Sequence, residues 1–121
     1  VLIVEDEKDI RMLLAFMFEG EKFRVFQATD GQSAMDLFTA EMERIDLLVT
    51  DLGLPKLGGV ELIQKVRAAK PSIRIIGSSG FGKKNIHEEV LNAGGDLFIS
   101  KPYVATELIR AAKQLLQWAD E

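Results

Sequence analysis

The chain has 121 residues, 47% hydrophobic and 28% charged, which suits one compact domain with one sizeable core and is too short for two. It contains no cysteine, which removes disulfides, thiolate metal ligation and sulfur redox chemistry and suits a reducing, cytoplasmic setting. Its formal net charge of −4 argues against direct nucleic-acid binding, and it has neither an apolar run near the roughly 18–20 residues of a membrane span nor the basic start of a signal peptide.

The run "VLIV", Val1 to Val4, is wholly apolar, as expected of a parallel strand covered on both faces, and it ends against Glu5, Asp6 and Glu7. Because the chain opens on Val1, without methionine and directly in a strand, residues 1–121 read as a single domain excised from a longer protein. Ile10, Leu13, Leu14 and Met17 recur at helical spacing and predict a first helix that Gly20 stops. Phe23 to Ala28 reads as a second strand, Thr29-Asp30-Gly31 as a turn and cap, and Gln32 to Ala40 as a second helix. Asp46 to Thr50 predicts the third strand, and the stretch "DLGLPKLGG", Asp51 to Gly59, a loop. Val60 to Ala69 forms a third helix ended by Pro71, and Ile73 to Ile76 a fourth strand. Gly77 to Lys84, "GSSGFGKK", reads as a loop, Asn85 to Ala93 as a short helix, and Leu97 to Ser100 as the fifth strand. A last helix over Ala105 to Ala119 presents Leu108, Ala112, Leu115 and Leu116 as its apolar face.

Five strand-helix units in this length imply a doubly wound α/β fold, because parallel strands need crossovers and those crossovers are right-handed. Ligands in such folds gather beyond the carboxyl ends of the strands. The residues that fall there are Glu5 and Asp6 after the first strand, Asp51 after the third, Ser78 and Ser79 after the fourth, and Lys101-Pro102 after the fifth. Three acids at one edge raise each other's pKa unless a cation sits among them. With oxygen donors only, and no His or Cys nearby, a hard divalent ion is indicated: Mg²⁺, for which Mn²⁺ could substitute. Lys101 then serves as counterion to a phosphate and to Asp51.

Together and in this order, these residues resemble the receiver domain of two-component response regulators over essentially the whole chain. Glu5-Asp6 looks like the family's metal-binding pair, and Asp51 occupies its phosphoacceptor position. Pro55 and Gly59 stand as in its following loop, Ser79-Gly80 resembles its hydroxyl residue and small neighbour, and "FISKP" carries its switch aromatic at Phe98 and its Lys-Pro pair at Lys101 and Pro102. The resemblance implies a flavodoxin-like three-layer sandwich, a five-stranded parallel sheet in the order 2-1-3-4-5. It implies a phosphoryl group taken from a histidine kinase or histidine phosphotransfer protein onto Asp51, with Mg²⁺ held by Glu5, Asp6, Asp51 and the Gly53 backbone carbonyl. Lys101 and Ser79 would stabilise charge on the transferring oxygens. Ser79, drawn toward the phosphoryl group, would leave room for Phe98 to turn and so reshape the surface of the fourth helix, fifth strand and fifth helix. That face would meet an effector domain, an output protein or a second copy of the chain. The resemblance further implies a domain that promotes its own phosphotransfer and dephosphorylation without being a turnover enzyme, in a parent chain that could be a hybrid histidine kinase.

Two positions depart from the commonest pattern: Phe98 stands where Tyr is frequent and Ser79 where Thr is frequent. Gly53 replaces a larger side chain, which either opens the acyl phosphate to water or marks a positive φ. His87, on the fourth helix, has no partner in view and reads as ordinary surface. Three alternatives belong to other classes. A flavin carrier would need a phosphate loop where "VEDEKD" stands, and a metal-dependent phosphatase would need an acid at position 53. A degenerate receiver would act only as an interaction or dimerisation module.

Overall fold

The computed structural model describes residues 1–54, 56–80, 86–101 and 104–116. Pro55, Lys84, Asn85, Pro102 and Ala119, each named in the sequence reading, lie outside the described residues. In chain order the elements are β1 (Leu2–Val4), α1 (Lys8–Gly20), β2 (Phe26–Ala28), α2 (Gly31–Glu41), a 3₁₀ turn (Met42–Arg44) and β3 (Leu47–Asp51). They continue with α3 (Gly59–Ala69), β4 (Arg74–Ser79), α4 (Ile86–Ala93), β5 (Leu97–Ser100) and α5 (Ala105–Leu116). All strand pairs are parallel and the sheet order is β2-β1-β3-β4-β5, the doubly wound arrangement expected.

Alternation along the strands divides the core between two helical layers. Val4, Leu48 and Ile75 face α2, α3 and α4 with Phe38, Ile63 and Val90. Ile3, Val49 and Ile76 face α1 and α5 with Phe18 and Leu108. Both faces are covered, which is why the central strands are continuous apolar runs. The last strand residues are the ones that emerge from this cover.

The fourth strand is longer than its composition indicates. Gly77, Ser78 and Ser79 belong to β4 and not to a loop, because β4 lies between two partners: Asp51 pairs with Ser78 on one side and Ser100 with Ser79 on the other. Ladder hydrogen bonds on both edges override the weak strand preference of Gly and Ser. Helix α1 is also turned relative to the expected face. Leu14, Ala15 and Phe18 are buried, Ile10 and Met17 are half-buried, and Leu13 is 55% exposed. The Phe18 ring meets Phe23 edge-on at 4.9 Å, and that contact fixes the rotation of the helix.

The turn after α1 corrects the role given to Gly20, which is simply the last helical residue. The left-handed position is Lys22, at φ 70°. Its N–H donates to the Glu19 carbonyl and that of Phe23 to the Phe18 carbonyl, both at 3.0 Å, a Schellman closure with its apolar contact supplied by the two phenylalanines. On the far side of the sheet, Arg67 of α3 donates to the carbonyls of Gly94 at 2.8 Å and Ile73 at 2.5 Å and pairs with Asp96 at 2.8 Å, holding the approach to β5.

A side chain held left-handed costs stability that glycine does not lose. Lys22→Gly is therefore expected to stabilise the chain by about 0.5–1 kcal/mol, read as a raised urea midpoint at unchanged m-value. A lowered midpoint would show that the lysine side chain contributes more than the turn geometry costs.

Candidate functional site

Glu5, Asp6 and Asp51 come together where β1 and β3 end, side by side in the sheet. One carboxylate oxygen from each lies within 4.8 Å of the others. Glu5 is 2% exposed, Asp51 is half-buried and Asp6 is exposed, so the cluster opens from the core toward solvent. Glu5 is firmly mounted. Its backbone N–H donates to the Ala28 carbonyl at 3.1 Å, its own carbonyl accepts from Arg11 at 3.0 Å, and its Oε2 accepts from the Glu7 N–H at 3.2 Å. The Arg11 and Glu7 contacts are support that the sequence reading did not find, because neither residue belongs to a strand end.

Lys101, just beyond β5, reaches across to both acids: Nζ lies 2.8 Å from Glu5 Oε1 and 3.2 Å from Asp51 Oδ1. Its backbone N–H donates to the Ser79 carbonyl at 2.8 Å, which ties the lysine to the end of β4. Burial pushes the Glu5 carboxyl above the usual carboxylate range, against the lowering effect of the Lys101 hydrogen bond. Burial alone would lower the Lys101 pKa, but its hydrogen bond to Glu5 and the charge of Asp51 outweigh this and the net shift is upward. The lysine is thus held as an ammonium between two acids.

These residues fit a divalent cation. The donor set is all oxygen, and three carboxyl groups stand against one ammonium at the strand ends. Gly53 lies two residues past Asp51 and has no positive φ; a Cβ placed there would meet nothing closer than Asp51 Oδ2 at 3.8 Å. This removes the strained-backbone reading of Gly53. The glycine instead leaves the flank of Asp51 open.

The loop that carries Gly53 is seated by two other glycines. A Cβ at Gly59, the first residue of α3, would stand 2.5 Å from the Leu52 Cα and 2.6 Å from the Asp51 carbonyl oxygen. A Cβ at Gly31, the first residue of α2, would stand 1.9 Å from the Leu57 carbonyl oxygen. Two helix starts therefore press directly on the backbone after Asp51. Asp30 caps α2 by accepting from the Ser33 N–H at 2.7 Å, which holds its carboxyl below the usual range, and its other oxygen faces Lys56 at 3.8 Å.

Ser79 and Phe98 share one side of the sheet. Gly77 is directly opposite Phe98, and Ser79 lies two residues beyond Gly77, so alternation points both side chains toward α4. Phe98 is half-buried and packs against the core beneath α4. His87, expected to be plain surface, stacks on it: the ring centroids are 5.6 Å apart with planes 27° apart. Periodicity places His87 on an exposed helix face but carries no information about which strand that face overlies.

The sequence matches the response regulator receiver domain family over residues 1–113. The chain belongs to that family. It is 32% identical to Sporulation initiation phosphotransferase F of Bacillus subtilis, a match covering 96% of this chain and 92% of that one. It is 38% identical to the KDP operon transcriptional regulatory protein KdpE of Escherichia coli, covering 89% of this chain and 47% of the relative. The receiver chain thus spans nearly all of the first relative and about half of the second. Among solved structures, the receiver domain of NtrX from Brucella abortus superposes with a TM-score of 0.85 at 30% identity, covering 96% of this chain and 97% of that one. A chain of the CheX-CheY-BeF3-Mg²⁺ complex from Borrelia burgdorferi gives 0.87 at 25% identity, covering 95% and 87%. Among the described residues, no helix is long and apolar enough to cross a membrane.

The Glu5–Lys101 pair makes a prediction with a definite sign. A buried carboxyl with a raised pKa favours the folded chain in its neutral form, so the stability linked to it is lost as pH rises through that raised value. Removing the ammonium raises the Glu5 pKa further and deepens the loss. In metal-free protein, Lys101→Met is expected to cost about 1–3 kcal/mol near pH 7 and distinctly less near pH 4, by urea denaturation at both values. An equal deficit at both would assign the loss to packing of the lysine stem.

Proposed function

We propose that this receiver accepts a phosphoryl group on Asp51 from the phosphohistidine of a histidine kinase or histidine phosphotransfer protein. The observation that carries the reading is Lys101 lodged between Glu5 and Asp51 beside a third carboxylate, a site charged to receive a cation and then an anion. An Asp51 carboxylate oxygen attacks phosphorus, the phosphorus–nitrogen bond breaks, and the imidazole leaves with the electron pair, giving an acyl phosphate. Asp51 ends a central strand, so it is held in place for that attack. Lys101 would pair with a phosphoryl oxygen, and the Ser79 hydroxyl would donate to another.

Glu5, Asp6, Asp51 and the Gly53 carbonyl would hold Mg²⁺, or Mn²⁺ in its place. The ion supplies charge neutralisation for the phosphoryl oxygens when bound. The Mg²⁺ and BeF3 named in the Borrelia complex, and the phosphotransferase named in Bacillus, support this for a domain of the same family. Gly53 leaves Asp51 open, which favours access of water to the acyl phosphate and so a limited lifetime for the signal. On the opposite side of Asp51, Ser79 moving toward the phosphoryl group would free space on the face it shares with Phe98. The surface of α4, β5 and α5 would then carry the change to an effector domain, an output protein or a second copy of the chain.

Incubation with Mg²⁺ and a small acyl phosphate is expected to add one phosphoryl mass to the chain. Asp51→Asn, or EDTA, is expected to abolish it. Labelling that survives Asp51→Asn would overturn the assignment, and an unlabelled parent would leave a pure interaction module.

The donor also needs a surface. Helix α1 starts beside the acids and exposes Met12, Leu13 and Phe16, the last at 72%, a cluster of apolar side chains of the kind that marks protein contact. Phe16→Asp is expected to slow transfer from a phosphorylated histidine protein by about tenfold or more, the loss of one interface anchor. Labelling by the small acyl phosphate should be unchanged. Equal slowing with both donors would place the effect in the site and not in docking.

A further inference from the structure

Nothing in phosphotransfer requires His87, yet its ring lies on Phe98. The contact is built into the packing of α4. Val90 of α4 is fully buried, and its side chain lies 3.1 Å from where a Cβ of Gly77 would be and 2.5 Å from that of Gly95. The missing Cβ of Gly77, on β4, lets Val90 seat the helix on the sheet, and that of Gly95 lets the turn that ends α4 close against Val90, its N–H donating to the Val90 carbonyl at 2.8 Å. Gly77 is the ladder partner of Phe98, so the seat of Val90 and the aromatic are neighbours on the same face. His87 precedes Val90 by one helical turn and shares its side of the helix, which brings the imidazole over the Phe98 ring. The helix could not slide to release the stack without moving Val90 off Gly77.

Phe98 lacks the hydroxyl through which a tyrosine would be held by a hydrogen bond. Its orientation is set by ring contacts alone, half-buried against the core and covered on its outer side by His87. Offset stacking of two planar rings is directional, so it favours one ring orientation over the others.

We propose that His87 is a positioning residue for the switch: its imidazole holds the Phe98 ring in the stacked orientation, and the turn of Phe98 that follows phosphorylation must break this stack. The proposal rests on Asp51 acting as phosphoacceptor with Phe98 responding. The stack therefore sets the threshold of the response, because whatever favours the stacked state is subtracted from the drive that phosphorylation supplies. Losing the stack leaves the chemistry at Asp51 intact and shifts the ring toward its turned orientation in both the unphosphorylated and the phosphorylated chain.

The test follows the Phe98 ring by NMR in the whole chain, with Phe98 site-specifically labelled, before and after labelling of Asp51 by a small acyl phosphate in Mg²⁺. His87→Ala is expected to raise the ratio of turned to stacked ring by about two- to tenfold in both states, the range set by one aromatic pair. Asp51 should label at the parent rate. His87→Phe, which restores a planar partner, is expected to return the ratio toward the parent value; an unfolded or destabilised variant would not do so. A ratio unchanged by His87→Ala in a chain that labels normally would overturn the positioning role alone. A parent chain that does not label at Asp51 would overturn the phosphoacceptor reading and the switch with it.

Discussion

A buried carboxylate at the end of a central strand has to be compensated, and in this receiver the compensation comes from Lys101. Glu5 is almost wholly withdrawn from water, so its charge is costly unless a cation lies against it. The lysine stands nearly the whole chain away in sequence and is delivered by β5, two strands beyond β3 in the sheet. Sheet order, strand length and the short segment after β5 all have to be right for that one contact to form. The same ammonium also lies 3.2 Å from Asp51, so one group compensates two carboxylates at once.

This sharing has consequences for how the site is built. One ammonium cannot neutralise three acids, and the remaining negative charge makes the strand ends attractive to a divalent ion while leaving Asp6 exposed on the solvent side. The backbone on the other side of Asp51 is held by close approach and not by charge. Gly59 and Gly31 let two helix starts rest on Leu52 and Leu57, so the loop bearing the Gly53 carbonyl is fixed at both ends. The backbone around Asp51 is thus held rigidly, by missing side chains as much as by present ones.

The surface around Phe98 follows different physics. There the phenylalanine meets an imidazole and a seated valine, so orientation depends on packing. Packing contacts of this size are individually weak. Ser79, at the end of β4, lies between the charged strand ends and this packed surface.

Much of this was legible without coordinates. The alternation of apolar runs with helical periods determined a doubly wound sheet, because a parallel strand buried on both faces cannot be written any other way, and strand-end chemistry singled out Glu5, Asp6, Asp51 and Lys101 before any contact was known. Only the tertiary structure decided the rest. Ser78 and Ser79 became strand because two neighbours pair with them, Leu13 turned outward because Phe18 and Phe23 fix the rotation of α1, and the left-handed turn after α1 fell on Lys22, two residues past Gly20. His87 acquired a partner on a strand eleven residues later, through the seating of Val90 on Gly77. Local pattern reports the period and polarity of a segment, whereas the partners of a face depend on how elements distant in sequence dock, and that is settled by shape.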